Sequence, residues 1–189
     1  AGGRYVHEAR DHTETYVNPV SFGPVSLLDP HISSNHFAPE ASLTYKPTAD
    51  LTLFGSYRKG FKSGSFNSAT LINSITKASF ADEQVSGGEI GLKSRLFDRT
   101  VNLNLAGYHY RYKDLQVGAL ELQQLPAGGG VTYNLRTINA ASAKVDGVDF
   151  DVTWAPDHVP GLSIFTAVNY NKARYGSFPN APWRRVSVP

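Results

Sequence analysis

Gly147-Val148-Asp149-Phe150-Asp151-Val152-Thr153-Trp154 alternates apolar and polar residues without a fault after its glycine. A strict period of two is the mark of a strand with one apolar and one polar face. Val148, Phe150, Val152 and Trp154 take one side, and Asp149, Asp151 and Thr153 take the other. Upstream, Leu51 to Phe61 sets Leu51, Leu53, Gly55 and Tyr57 against Thr52, Ser56 and Arg58, with Phe54 the misfit. Glu89 to Phe97 sets Ile90, Leu92 and Leu96 against Glu89, Gly91, Lys93 and Arg95. A soluble core would not hold that second face, because unpaired charges are too costly to bury. Ala41 to Lys46, Val101 to Leu105, Leu162 to Lys172 and a weaker Arg4 to Arg10 bring the expectation to about seven antiparallel strands. In the run Tyr108, Tyr110, Tyr112 the large residues change parity, and Gly107 is expected to mark a bulge there.

The composition is compatible with this reading. The 189 residues are 41% hydrophobic and 12% aromatic, which argues against disorder, and the formal charge of +2 is too small for a nucleic-acid footprint. No cysteine is present, so disulfides and thiolate chemistry are excluded. No stretch approaches the ~18 apolar residues of a transmembrane helix, but alternating barrel strands escape that test.

The connections differ in length. Lys46 to Asp50, Phe97 to Thr100 and Ala155 to Gly161 are short and carry turn residues, whereas Asp11 to Ala38, Lys62 to Asp82 and Leu115 to Ala141 read as long polar loops. Short turns on one side and long loops on the other are the layout of a transmembrane barrel. Tyr45, Phe97 and Trp154 near the short turns, and Tyr57, Phe61, Tyr108 to Tyr112, Tyr170 and Tyr175 near the long loops, are expected to form two aromatic girdles.

The run from Tyr45-Lys46-Pro47 through Leu51-Thr52-Leu53-Phe54-Gly55-Ser56-Tyr57-Arg58-Lys59-Gly60-Phe61-Lys62-Ser63-Gly64-Ser65-Phe66-Asn67 resembles a stretch of TonB-dependent outer-membrane receptors. Glu89-Ile90-Gly91-Leu92-Lys93, Tyr110 to Val117 and Asn139 to Asp151 resemble further segments in the family's order. The resemblance implies an all-β, up-and-down meander belonging to a large barrel of about 22 strands. Residues 1–189 are then expected to be an internal part of that barrel, with no plug domain and with C-terminal strands missing. It also implies active uptake of a bound small molecule, often an iron–siderophore complex, in the outer membrane. The implied partners are the plug domain and remaining barrel strands, the TonB complex acting through the plug, and outer-membrane lipid and lipopolysaccharide. No cofactor, nucleic acid or catalysis is expected.

Under that resemblance Leu51, Leu53, Ile90, Leu92, Val148, Phe150, Val152 and Trp154 are expected to face lipid. Arg58, Glu89, Lys93, Arg95, Asn102, Asn104, Asp149 and Asp151 are expected to face the lumen, with Ser42, Thr44, Thr52, Ser56 and Ser163. Pairing through the short turns brings Arg58 near Glu89, Lys93 near Asn104 and Arg95 near Asn102. Lys59, Lys62, Tyr110 and Tyr112, at the strand-to-loop edge, are candidates for contact with substrate or lipopolysaccharide.

Enzyme signals fail on spacing. His7-Glu8-Ala9-Arg10-Asp11-His12 has one residue too many for a zinc-binding H-E-x-x-H, since i and i+5 do not share a helix face. Asp29, His31 and His36 follow no ligand rule, and Gly128-Gly129-Gly130 lacks a phosphate-loop pattern. Two rival architectures make distinct demands. A small passive barrel, with Trp183 to Val188 as an eighth strand, must pair its first strand with its last. A soluble β-sandwich binding module must cover Leu51, Leu53, Ile90, Leu92, Val148 and Phe150 with a second sheet.

Overall fold

Alternation becomes a ladder in the computed structural model, which describes residues 1–13, 15–17, 22–24, 29–67, 78–124 and 130–176. Every regular element among them is a strand: β1 (Gly2–Asp11), β2 (Thr15–Val17), β3 (Phe22–Pro24), β4 (His31–Thr48), β5 (Leu51–Lys62), β6 (Ser65–Phe66), β7 (Ser79–Phe80), β8 (Glu83–Leu96), β9 (Val101–Gln124), β10 (Val131–Trp154) and β11 (Ile164–Tyr175). The long strands make one antiparallel seven-stranded meander, β1-β4-β5-β8-β9-β10-β11. The pairs β2/β3 and β6/β7 are small hairpins inside two of the connections.

One end of the sheet carries the short turns. Phe97, Asp98 and Arg99 all have positive φ, so this tight reversal holds three side-chain-bearing residues in the left-handed region. The Thr100 amide and hydroxyl both donate to the Phe97 carbonyl, at 3.0 and 2.8 Å. Neighbouring turns are linked, because Arg99 Nε donates to Asp50 Oδ1 at 2.9 Å and the Arg95 amide donates to the Asp50 carbonyl at 2.8 Å.

The opposite end departs from expectation. β9 runs to Gln124 and β10 starts at Val131, so most of the presumed loop Leu115 to Ala141 is a continued hairpin. β4 likewise begins at His31, seven residues before Ala38. Alternation fades there because a strand wet on both faces has no side to bury, while its backbone groups still need partners. Gly107 marks no bulge: it pairs Ile90 and Val148 in an unbroken ladder. Tyr108, Tyr110 and Tyr112 therefore keep the parity of Asn102 and Asn104. In the β9/β10 ladder the irregularities fall instead between Asn139 and Ala143, opposite Tyr112 to Gln116, where Asp114 has φ of 53°.

Directly paired residues share a face. Leu53, Leu92, Leu105, Phe150 and Val168 follow one another across five strands, flanked by the row Ile90, Gly107, Val148 and Tyr170. Nothing covers them among the described residues: Leu43 and Ile90 are each 75% exposed, and the buried hydrophobic residues there are Ala78 and Ala141. No second sheet of the kind a sandwich needs lies over this face among the described residues. β1 and β11 stand at opposite edges of the sheet, and Trp183 to Val188 lie outside the described residues. Of the aromatic residues expected in girdles, Tyr45, Tyr57, Trp154 and Tyr170 stand on the apolar face. Tyr108, Tyr110, Tyr112 and Tyr175 have the opposite parity, which removes them from an outward belt.

Candidate functional site

The polar face is built by the same register. Thr52, Lys93, Asn104 and Asp151 form one row, and Arg95, Asn102 and Thr153 another. Arg58, Glu89, Lys93, Arg95, Asn102, Asn104, Asp149 and Asp151 thus share one face, while Leu51, Leu53, Ile90, Leu92, Val148, Phe150, Val152 and Trp154 share the other. The pairs inferred from the turns occur: Arg58 Nη2 lies 3.7 Å from Glu89 Oε1, Lys93 is registered with Asn104, and Arg95 with Asn102.

These groups are tied by neutral donors as much as by charges. Asn104 Nδ2 donates to Asp151 Oδ2 at 2.6 Å, Ser56 Oγ to Glu89 Oε1 at 3.3 Å, and Asn169 Nδ2 to Asp149 Oδ1. Asn171 Nδ2 donates to the Tyr108 hydroxyl at 2.9 Å. Aromatic rings here lie over glycines of the adjacent strand. A methyl group at Gly147 would run into the Tyr108 ring, and one at Gly91 would meet Phe54 Cζ at 2.5 Å. This explains Phe54, the one misfit in its strand: its ring occupies the space a side chain at residue 91 would take, with Lys93 Nζ 6.0 Å from its centroid.

At the end away from the short turns, three side-chain amides fasten the connection carrying β6 and β7 onto the extended β9/β10 hairpin. Asn67, 8% exposed, donates to the Ala78 and Thr137 carbonyls at 3.1 and 3.0 Å and accepts from the Thr137 amide at 2.7 Å. Asn139 accepts from the Ala81 amide at 2.6 Å and donates to the Ala81 and Asp114 carbonyls, both at 2.8 Å. Gln116 Nε2 donates to the Ser63 and Ala81 carbonyls, each at 3.1 Å, and its backbone amide donates to Glu83 Oε2 at 2.9 Å. Asp82 accepts from the Gly64 amide at 2.5 Å and bonds His36 Nε2 at 2.6 Å, and the His36 ring stacks on Phe61 at 4.1 Å. The Asn67 and Asn139 amides each match a donor and an acceptor of the backbone they hold, and Gln116 adds donors to two further carbonyls, so the buried Asn67 is satisfied. Beside this clamp a cleft of about 300 Å3 is lined by Glu8, Arg10, Ile32, Ser34, Gly64 and Asp82.

None of Asn67, Asp82, Gln116 and Asn139 stands out in the sequence as a site residue. Asn67, Gln116 and Asn139 stood inside the quoted motifs, but bonds across 53 to 70 positions leave no periodic trace. Of the four edge candidates, Lys62, Tyr110 and Tyr112 have the parity of the polar face and Lys59 that of the apolar face. The residues weighed for metal are dispersed: Ser79 Oγ donates to Asp29, His31 Nδ1 lies 2.8 Å from Asp11, and His36 bonds Asp82. His7 bonds Asn35, and the His12 ring stacks on Phe66 at 5.0 Å.

Residues 1–187 match the family of the TonB dependent receptor-like β-barrel. The fold resembles the ferric yersiniabactin uptake receptor FyuA from Yersinia pestis, with a TM-score of 0.64 and 19% identity over 92% of this chain and 24% of that one. It also resembles the alcaligin outer-membrane receptor FauA from Bordetella pertussis, with a TM-score of 0.50 and 18% identity over 93% of this chain and 28% of that one. The chain spans about a quarter of the length of each.

Proposed function

Because this chain belongs to the TonB-dependent receptor β-barrel family, whose barrels reside in the outer membrane, we propose that residues 1–189 form part of the wall of a receptor for active uptake of a scarce small molecule. A ferric siderophore is the substrate class we favour, supported by the likeness to FyuA, a receptor for uptake of ferric yersiniabactin. In this reading the apolar face meets lipid. The polar face, from Arg58 and Glu89 to Asp149 and Asp151, lines a hydrated lumen where it meets a plug domain, through which the TonB complex acts. Lys62, Tyr110 and Tyr112 stand where the lumen opens to the long connections, and they are the candidates for substrate contact. Outer-membrane lipid and lipopolysaccharide surround the wall, and the remaining barrel strands close it.

One observation carries the proposal: an uncovered apolar face and a polar, hydrogen-bonded face run back to back through the sheet from β4 to β11. A soluble monomer seldom exposes more than a few hundred Å² of contiguous apolar surface. The absence of cysteine makes the test direct. Single cysteines at Leu92 and Val148 of the full receptor should react with a lipid-soluble thiol reagent, and those at Lys93 and Asp149 with a water-soluble one. Reversed labelling would overturn the assignment of faces. Tyr110→Ala should lower uptake several-fold at equal receptor level, and unchanged uptake would remove Tyr110 from the substrate path.

A further inference from the structure

Lys62 ends β5 on the polar face, and the ladder sets Glu83, the first residue of β8, directly opposite it. An opposed lysine and glutamate on one face ordinarily form a cross-strand pair. Here they do not. Glu83 Oε2 accepts from the backbone amide of Gln116 at 2.9 Å, a bond that draws it toward β9 and away from β5. The other carboxylate at this end of β8, Asp82, is committed as well, to the Gly64 amide at 2.5 Å and to His36 Nε2 at 2.6 Å. Among the described residues no carboxylate is ion-paired with the Lys62 ammonium. Nearer the short turns on the same face the cation is compensated, since Arg58 Nη2 lies 3.7 Å from Glu89.

The diversion of Glu83 has a cause in the backbone. The β8/β9 ladder ends at Gln84 and Lys113, and β9 is irregular between Tyr112 and Gln116, with Asp114 at φ of 53°. The Gln116 amide is left without a strand partner on the β8 side, and an unmet backbone donor is costly in a part-buried position. Glu83 supplies the acceptor. A partly exposed Lys–Glu pair contributes little, so returning Glu83 to Lys62 at the expense of that amide is the worse arrangement. Gln116 also fixes the lysine itself, because its Nε2 donates to the Ser63 carbonyl at 3.1 Å and lies 3.4 Å from the Lys62 carbonyl. One residue thus holds the main chain of Lys62 in place and draws off its counterion.

We propose that Glu83 and Gln116 are positioning residues that keep Lys62 free of a counterion, so that its ammonium takes an anionic oxygen of the substrate such as a carboxylate. This rests on the reading of Lys62 as a substrate contact and adds to it a charge preference, for an anionic substrate over a neutral one of similar size. The preference follows from the strength of a charge-assisted bond, which exceeds that of a bond between neutral groups. It needs the lysine unpaired, because a resident carboxylate would have to be displaced first.

The test uses the full receptor in a neutral detergent and follows, by mass spectrometry, the acetylation of Lys62 by uncharged N-hydroxysuccinimidyl acetate in the presence of citrate or sucrose. Citrate should protect Lys62 at concentrations where sucrose does not, and equal protection overturns the proposal. Gln116→Pro and Gln116→Ala lose the same side chain, but only the first loses the N–H. The half-protecting citrate concentration should therefore rise about threefold further in Q116P than in Q116A, the measure of one exposed ion pair formed with the returning Glu83. E83Q/Q116P should reverse that rise, which a purely structural role would not. Equal values in Q116P and Q116A, or no reversal, overturn the positioning role. If Q116P does not fold, exchange of the Gln116 amide decides instead: it should speed up about tenfold in E83A, and an unchanged rate overturns the bond beneath the proposal. If Tyr110→Ala leaves uptake unchanged, the substrate path falls and this proposal with it. Lowered uptake in that variant, with citrate and sucrose protecting Lys62 equally, removes this proposal alone.

Discussion

Gly147 is occupied from the neighbouring strand, because the Tyr108 ring lies where its Cβ would be. Gly147→Ala should push that ring aside and break the bonds from Asn171 and Asn169, at a cost of about 1 kcal/mol. In a Tyr108→Ala background the same change should cost little. A double-mutant cycle by urea unfolding in detergent measures the coupling, and additive effects would show that ring and glycine are independent. Asp98 poses the opposite case. Its φ of 52° suits glycine better than a residue with a Cβ, so Asp98→Gly should leave the turn intact and raise stability by up to about 1 kcal/mol in the same assay.

Strands differ in what holds them, and the clamp formed by Asn67, Gln116 and Asn139 belongs to this scale. Asn67→Ala removes both partners of the Thr137 backbone amide and carbonyl, and it should loosen the β6/β7 connection by about 1 to 3 kcal/mol. Hydrogen exchange at Ala78 to Ala81 should accelerate while exchange at Leu92 or Leu105 stays slow; uniform acceleration would mean the clamp supports the whole sheet. The sequence disclosed the parts of the fold in which one side must be apolar. Val148 to Trp154 and Ile90 to Leu96 carried their own parity, and the turn at Phe97 to Thr100 set the register of Lys93 on Asn104. Beyond Leu115 that constraint lapses, so β9 and β10 continued unseen. Of the site, the polar row was legible residue by residue. The clamp was not, because an amide that bonds a backbone 70 positions away looks like any loop asparagine.

The whole sheet has an uncovered apolar face and two edge strands, β1 and β11. Refolded alone from urea, residues 1–189 should stay monomeric only in detergent and should sediment as large aggregates without it, because open apolar surface and open edges both recruit further chains. A soluble monomer in plain buffer would contradict the architecture described above.

The clamp also governs how such a receptor can change. Asn67 and Asn139 grip main-chain atoms of Ala78, Ala81, Asp114 and Thr137, atoms that every residue type except proline at a donor position supplies. The grip is therefore indifferent to the side chains at Ala78, Ala81, Asp114 and Thr137. Substitution at those four positions is thereby free of the clamp, whereas substitution at Asn67 or Asn139 is not.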